Sequence, residues 1–288
     1  MRGIAAVAVL LVCAGCRNRP ETAAELLRRL PAEDATLVGI DVDALRRGGI
    51  LKLLELSKQA AEPEYLAFLN GTGFDYQRDL DLVLASFTPA GAFMVLRGRF
   101  DWPKLEAYAK GNGGSCYNKL CRMPGSVPER RISFLPVSNT VMALAVSTDD
   151  LAASRITKPG PARLAEVPAQ PVWLNVPGSV LRKSSILPPA TRIFAAALGA
   201  SDQVTATLGP APDGGYEAKL TANCRTAEDA HRISAQMTSL TGMLKSLVGR
   251  SKKEDLASVL AAGAFSQTGT NMNGYWTVPK GLLESLAQ

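Results

Sequence analysis

Residues 12–16 read V-C-A-G-C, and Cys13 and Cys16 have the C-x-x-C spacing of a redox couple or half a zinc site. A redox pair opens a helix after a strand inside a folded domain, and a structural zinc site needs a second ligand pair. Neither surrounds these cysteines, which close an apolar run at the start of the chain. Three further groups could do chemistry. Asp41 and Asp43 flank Val42, and Asp79 and Asp81 flank Leu80. Residues two apart on a strand share a face, so either pair has the spacing to hold a calcium ion or to act as acid and base. The plainer roles are a helix cap for Asp43 and a solvated loop for Asp79 and Asp81. The third is the single histidine, His231, which lies off the apolar stripe of its helix, so a surface place suits it better than a catalytic one. No G-x-S-x-G, H-E-x-x-H, P-loop or dinucleotide glycine pattern is present. We therefore expect no catalytic residue, no cofactor and no metal.

The elements around Cys16 are those of an export signal. Arg2 supplies a positive start, residues 4–12 an apolar stretch, and Ala14 and Gly15 the small side chains that a signal peptidase needs. The run is well short of the roughly 20 apolar residues that cross a bilayer. It resembles the signal of bacterial lipoproteins. The resemblance implies that residues 1–15 are removed and that Cys16 carries the lipid. Cys13 stands where that family has leucine and would leave with the signal. An ordinary secretory signal or an uncleaved anchor is the competing reading. Arg17, where an aspartate would favour inner-membrane retention, implies the outer membrane, with residues 17–20 as a polar tether. The body shows a general similarity to bacterial lipoproteins of unknown function in its L-P-A-x-x-A opening at residues 30–35 and its G-F-D-x-x-R-D-L-D segment at residues 73–81. That similarity names no activity.

The chain has 288 residues, 47% hydrophobic and 20% charged, with a formal charge of +6. Loss of Arg2 with the signal lowers this to +5. The length suffices for two ordinary cores or one large one. Basic residues are dispersed, and the densest cluster, at 250–253, runs straight into Glu254 and Asp255. A nucleic-acid interface needs a basic face with interleaved aromatics, so none is expected. After residue 16 no apolar run approaches spanning length, and membrane attachment falls to the lipid.

An internal repeat organises the rest. Residues 30–51 and 167–187 both open on apolar-Pro-Ala and close on Leu-basic-basic-small-small-Ile-Leu, with Leu45-Arg46-Arg47 against Leu181-Arg182-Lys183. Hairpins follow at 82–99 and 204–223, then helices that Asp101 and Thr226 can cap, then second hairpins and short helices. Ser147 to Asp150 reads as a further helix start. The helix after Thr226 carries apolar residues at 230, 233, 237, 240, 244 and 247 before Gly249, a stripe for packing on the core. The fold class predicted is α+β, with two tandem similar halves, each an antiparallel sheet of hairpins with helices packed on one face. The divisions are signal 1–15, lipidated tether and short helix 16–29, repeat 30–156, linker 157–166 and repeat 167–288. The second repeat has Pro177 and Ser179 where the first has Asp41 and Asp43, so a carboxylate mechanism would not be shared between them.

Cys116 and Cys121 bracket a hairpin tip whose two-residue turn is Asn118-Lys119. Their Cα atoms then stand about 4.5 Å apart, at the short end of what a disulfide tolerates, and an oxidising envelope allows the bond. Cys224 is left unpaired and is expected to be buried as a small apolar group. Asn70-Gly71-Thr72 is formally a glycosylation sequon, discounted beside a bacterial type of signal. The expected function is a lipid-anchored envelope protein without catalysis that binds or scaffolds another envelope macromolecule. The alternatives are a carrier holding a lipid or other apolar ligand between sheet and helices, and a carboxylate-dependent hydrolase.

Overall fold

The computed structural model describes residues 19–51, 63–161, 164, 166–183, 189–212, 215–248, 256–279 and 281–282. Cys13, Cys16 and Arg17 lie outside the described residues, as do Gly249, the charge cluster at 250–255 and, at 280 and 283–288, most of the short helix that ends the second repeat. Among the described residues no helix is long and apolar enough to cross a membrane.

Among the described residues, twelve strands form one antiparallel sheet. They are β1 (Thr36–Asp41), β2 (Leu80–Thr88), β3 (Gly91–Gly98), β4 (Ser115–Tyr117), β5 (Leu120–Pro124), β6 (Arg131–Ser138), β7 (Val141–Ser147), β8 (Val172–Pro177), β9 (Gln203–Pro210), β10 (Tyr216–Asn223), β11 (Ala264–Thr268) and β12 (Asn271–Val278). Across the sheet the order is β11-β12-β10-β9-β8-β1-β2-β3-β7-β6-β5-β4. The two sheets expected from the sequence are therefore one, joined where β1 pairs with β8 through Leu37 with Asn175 and Gly39 with Trp173. Outward from this seam the order is β1-β2-β3-β7-β6 on one side and β8-β9-β10-β12-β11 on the other.

Helices cover both faces of the first half, not one. On one face, α1 (Ala23–Leu27) and α6 (Ala152–Arg155) pack Leu26, Leu27, Ala152 and Ala153 on Leu82, Leu84, Phe93 and Val95. The short helix assigned to the tether is thus a core element, started by a capping box between Thr22 and Glu25. On the other face lie α2 (Val42–Arg47), α3 (Pro63–Thr72), α4 (Tyr76–Asp79) and α5 (Trp102–Gly111). Here α2 packs on Leu80 and Val83, and α5 on Phe134 and Met142. The reason is in the strands: L-V-L-A in β2, A-F-M-V-L in β3 and V-M-A-L-A-V in β7 are apolar at successive positions, so both faces need cover. Strands β9, β10 and β12 alternate instead. Val204, Ala222 and Met272 turn to the helices, while Thr205, Thr221 and Asn273 turn away.

The second half is covered by α7 (Gly178–Lys183), α8 (Pro189–Leu198), α9 (Ala227–Val248) and α10 (Leu256–Ala261). Thr226 accepts the Asp229 N–H to start α9. Ala230, Ile233, Met237 and Thr241 of α9 are buried, whereas Met243 is 62% and Leu247 74% exposed. Leu240 still packs on the core, and beyond it the expected stripe turns out to solvent at Leu247. The Ser147 to Asp150 segment is a turn before α6, which has no side-chain cap. Ser147 accepts the Asp149 N–H and donates to the Ala90 carbonyl.

Between β4 and β5, Asn118 (φ 47°) and Lys119 (φ 68°) form the two-residue turn with both residues left-handed. Cys116 and Cys121 face each other across it and are disulfide-bonded, with Cα atoms 4.0 Å apart. A left-handed lysine is unfavourable by about 1 kcal/mol. Lys119→Gly, giving an Asn-Gly turn, is expected to raise stability by roughly 0.5–1 kcal/mol in urea denaturation of the oxidised protein. An unchanged or lowered midpoint would contradict that turn.

Candidate functional site: an apolar cavity beside a charged recess

The chain between α3 and β2 is built from consecutive caps. Thr72 donates its hydroxyl to the Phe68 carbonyl and accepts the Phe74 N–H. Gly73 (φ 69°) ends α3 by donating its N–H to Leu69, a left-handed stop that glycine adopts freely. Asp75 caps α4 through the Gln77 N–H, and its own N–H is accepted by Asp79. Asp101 accepts the Lys104 N–H to start α5. Leu105 and Ala109 turn that helix onto the sheet against Cys121.

These elements frame a half-open cavity of about 270 Å³ between α3, α5 and the sheet, lined almost wholly by carbon. Phe68, Phe74, Phe100 and Tyr108 form the helix side, and Leu96 and Leu144 the floor. The rings hold one another: Phe68 meets Tyr108 edge-on at 5.2 Å, and Phe74 stacks on Phe100 at 5.5 Å and 11°. The disulfide hairpin abuts the same cluster.

A polar recess of about 460 Å³ adjoins the cavity, bearing Arg78, Arg99 and Lys104 with Asp79 and Asp101. Asp79 was expected in a solvated loop, but its side chain is only 11% exposed. It accepts from Arg78 Nε at 3.0 Å, from the Asp75 N–H at 3.0 Å and from Arg99 Nε at 3.4 Å. The Arg78 guanidinium, aided by the Asp75 amide and Arg99 against the opposing effect of burial, lowers its pKa to about 2.

The structure separates the other acidic candidates. Asp41, not Asp43, caps α2 by accepting the Ala44 N–H at 2.8 Å. Asp43 pairs with Arg46 and Arg47, at 3.0 and 3.2 Å, and Asp81 lies 3.7 Å from Arg46. Arg46 also donates to the Gln77 and Leu80 carbonyls. Arg46 thus ties α2 to the start of β2 through Asp81 and these carbonyls, whereas Asp41 and Asp43 act within α2 and Asp79 serves Arg78 and Arg99. Among the described residues no three His, Cys, Asp or Glu side chains are grouped for a metal. His231 is exposed on α9. Cys224 is buried and free, its thiol pushed up by burial and by Asp229 and Asp202.

In fold, the chain is similar to TP0453. The solved crystal form III of that protein aligns with a TM-score of 0.50 at 10% identity, over 93% of this chain and 98% of the other. Crystal form I gives 0.47 at 10% identity, over 92% and 96%. No protein-family model matches the chain, and no curated protein does. At this identity the likeness concerns the fold alone.

The cavity residues are not among those that the sequence singled out. Their signal is a concentration of rings: more than half of the aromatic residues fall between Tyr65 and Tyr108. Clustered rings in a chain only 6% aromatic mark a place where large apolar surfaces converge.

Proposed function

We propose that this protein is a lipid-anchored envelope protein, held by Cys16, which binds an apolar chain in the cavity between its sheet and α3 and α5. One observation carries the choice of a carrier over a pure scaffold: about 270 Å³ of carbon-lined space beside a solvent-facing recess. A cavity of about 150 Å³ admits benzene, so this one accommodates on the order of ten carbons. The disulfide at Cys116 and Cys121 supports export to an oxidising compartment. The signal-type leader together with Arg17 favours the outer membrane, facing the periplasm or the cell surface. No catalytic step is assigned. Asp41, Asp43, Asp79 and Asp81 are each engaged in caps or ion pairs, which supports binding over carboxylate hydrolysis. The mirrored strand order about β1 and β8 supports an ancestral duplication, of which only the first half now encloses the aromatic cavity.

The test is fluorescence of N-phenyl-1-naphthylamine with the full chain and with Leu144→Phe, which adds volume to the cavity floor. Saturable binding that the substitution weakens about tenfold or more, with folding retained, is the expected result. Equal binding by both proteins would remove the cavity from the account. A second surface suits a macromolecular partner, since Met243 and Leu247 project from α9 into solvent. If Leu247→Glu leaves co-purification of envelope proteins unchanged, that surface is not used.

A further inference from the structure

The apolar cavity and the polar recess share a boundary, lined on both sides by Phe74, Phe100 and Leu105. Beyond it the chemistry changes from carbon to charge. Among the residues that line it, Arg78, Arg99 and Lys104 outnumber Asp79 and Asp101 by one, with Asp75 acting on Arg78 from outside the lining. That excess is accessible. The three cationic side chains are 62%, 62% and 59% exposed, and each retains N–H donors beyond its internal bonds. Asp79 is already shared by two guanidinium groups, and Asp101 is occupied by the N–H and the ammonium of Lys104, both at 3.2 Å. Both carboxylates are therefore already met by cations of the protein.

Resting on the cavity as a chain site, we propose that the ligand is an anionic amphiphile with its alkyl chain between sheet and helices and its carboxylate or phosphate head held by Arg99 and Lys104. Planar guanidinium forks match the paired oxygens of both head types, and an ammonium adds a compact charge. The stacked rings of Phe74 and Phe100 give flat apolar walls where chain meets head. A neutral head would leave the excess charge unmet, and a cationic head would be repelled.

Equilibrium dialysis of the full chain carrying Cys16→Ser, which removes the thiol expected to bear lipid, tests this with four ten-carbon probes. These are decanoate, decyl phosphate, decanol and decyltrimethylammonium. At least one anionic probe should bind about tenfold or more tighter than decanol, with the cation weakest. Arg99→Gln and Lys104→Gln should each remove most of that advantage and leave decanol binding unchanged. The tighter anionic probe then identifies the head as carboxylate or phosphate. If decanol binds as well as both anions, or the substitutions do not alter anion binding, the head site is overturned and the cavity stands. If no probe binds, both fall.

Discussion

Gly39→Ala is expected to destabilise the protein by about 3 kcal/mol, although it adds one methyl group. A Cβ there would stand 2.1 Å from Cε2 and 2.2 Å from Nε1 of Trp173, far inside van der Waals contact. The indole lies across the β1–β8 seam, 4% exposed, in the cluster that holds Leu26, Leu84 and Val95. Either the strands part or the indole leaves the core. Overfilling a packed core costs about 1–3 kcal/mol, and losing a buried tryptophan about 3–5 kcal/mol. Trp173→Ala alone belongs in the upper range. The double variant should cost less than the two singles together, because alanine at 39 no longer meets a ring. Urea denaturation monitored by circular dichroism measures all three. A Gly39→Ala protein within about 0.5 kcal/mol of wild type would contradict the seam.

Asp79→Asn is expected to lower stability by about 2 kcal/mol at pH 7 by removing the charge that two arginines and an amide address. Arg78 and Arg99 are largely exposed, so solvent screening keeps the loss below the several kcal/mol of a fully buried pair. The pH dependence has a definite sign. With its pKa lowered to about 2 in the fold, against 3.8 ordinarily, the carboxylate contributes fully above about pH 4. That contribution disappears as the pH falls towards 2. The gap between wild type and Asp79→Asn should therefore narrow from pH 4 to pH 2. A constant gap across that range would contradict the ion-pair assignment.

The strands were largely legible because hairpins announce themselves through apolar runs broken by turns, as at Thr88-Pro89-Ala90-Gly91 between β2 and β3. Caps were legible where one polar residue precedes a helical run, as at Asp101 and Thr226. The single sheet was not, since pairing of β1 with β8 joins residues more than 130 positions apart and leaves no local trace. Helices on both faces were encoded in the unbroken apolar run of 82–85, which leaves neither face of that strand polar. Asn70-Gly71-Thr72 has the composition of a loop yet completes α3, because Thr72 turns its hydroxyl back onto Phe68. This hid the helix that roofs the cavity. Asp79 resembled a loop residue because only Arg78 and Asp75 are near it in sequence, and Arg99 arrives only when β3 returns beside β2.

The most direct measurement is a crystal structure of the full chain grown with decanol, whose uncharged head makes no demand on the recess. Continuous density for the alkyl chain between Phe68, Tyr108 and Leu144 is the expected result. Decanol bound elsewhere, with that space filled by protein side chains, would contradict the account.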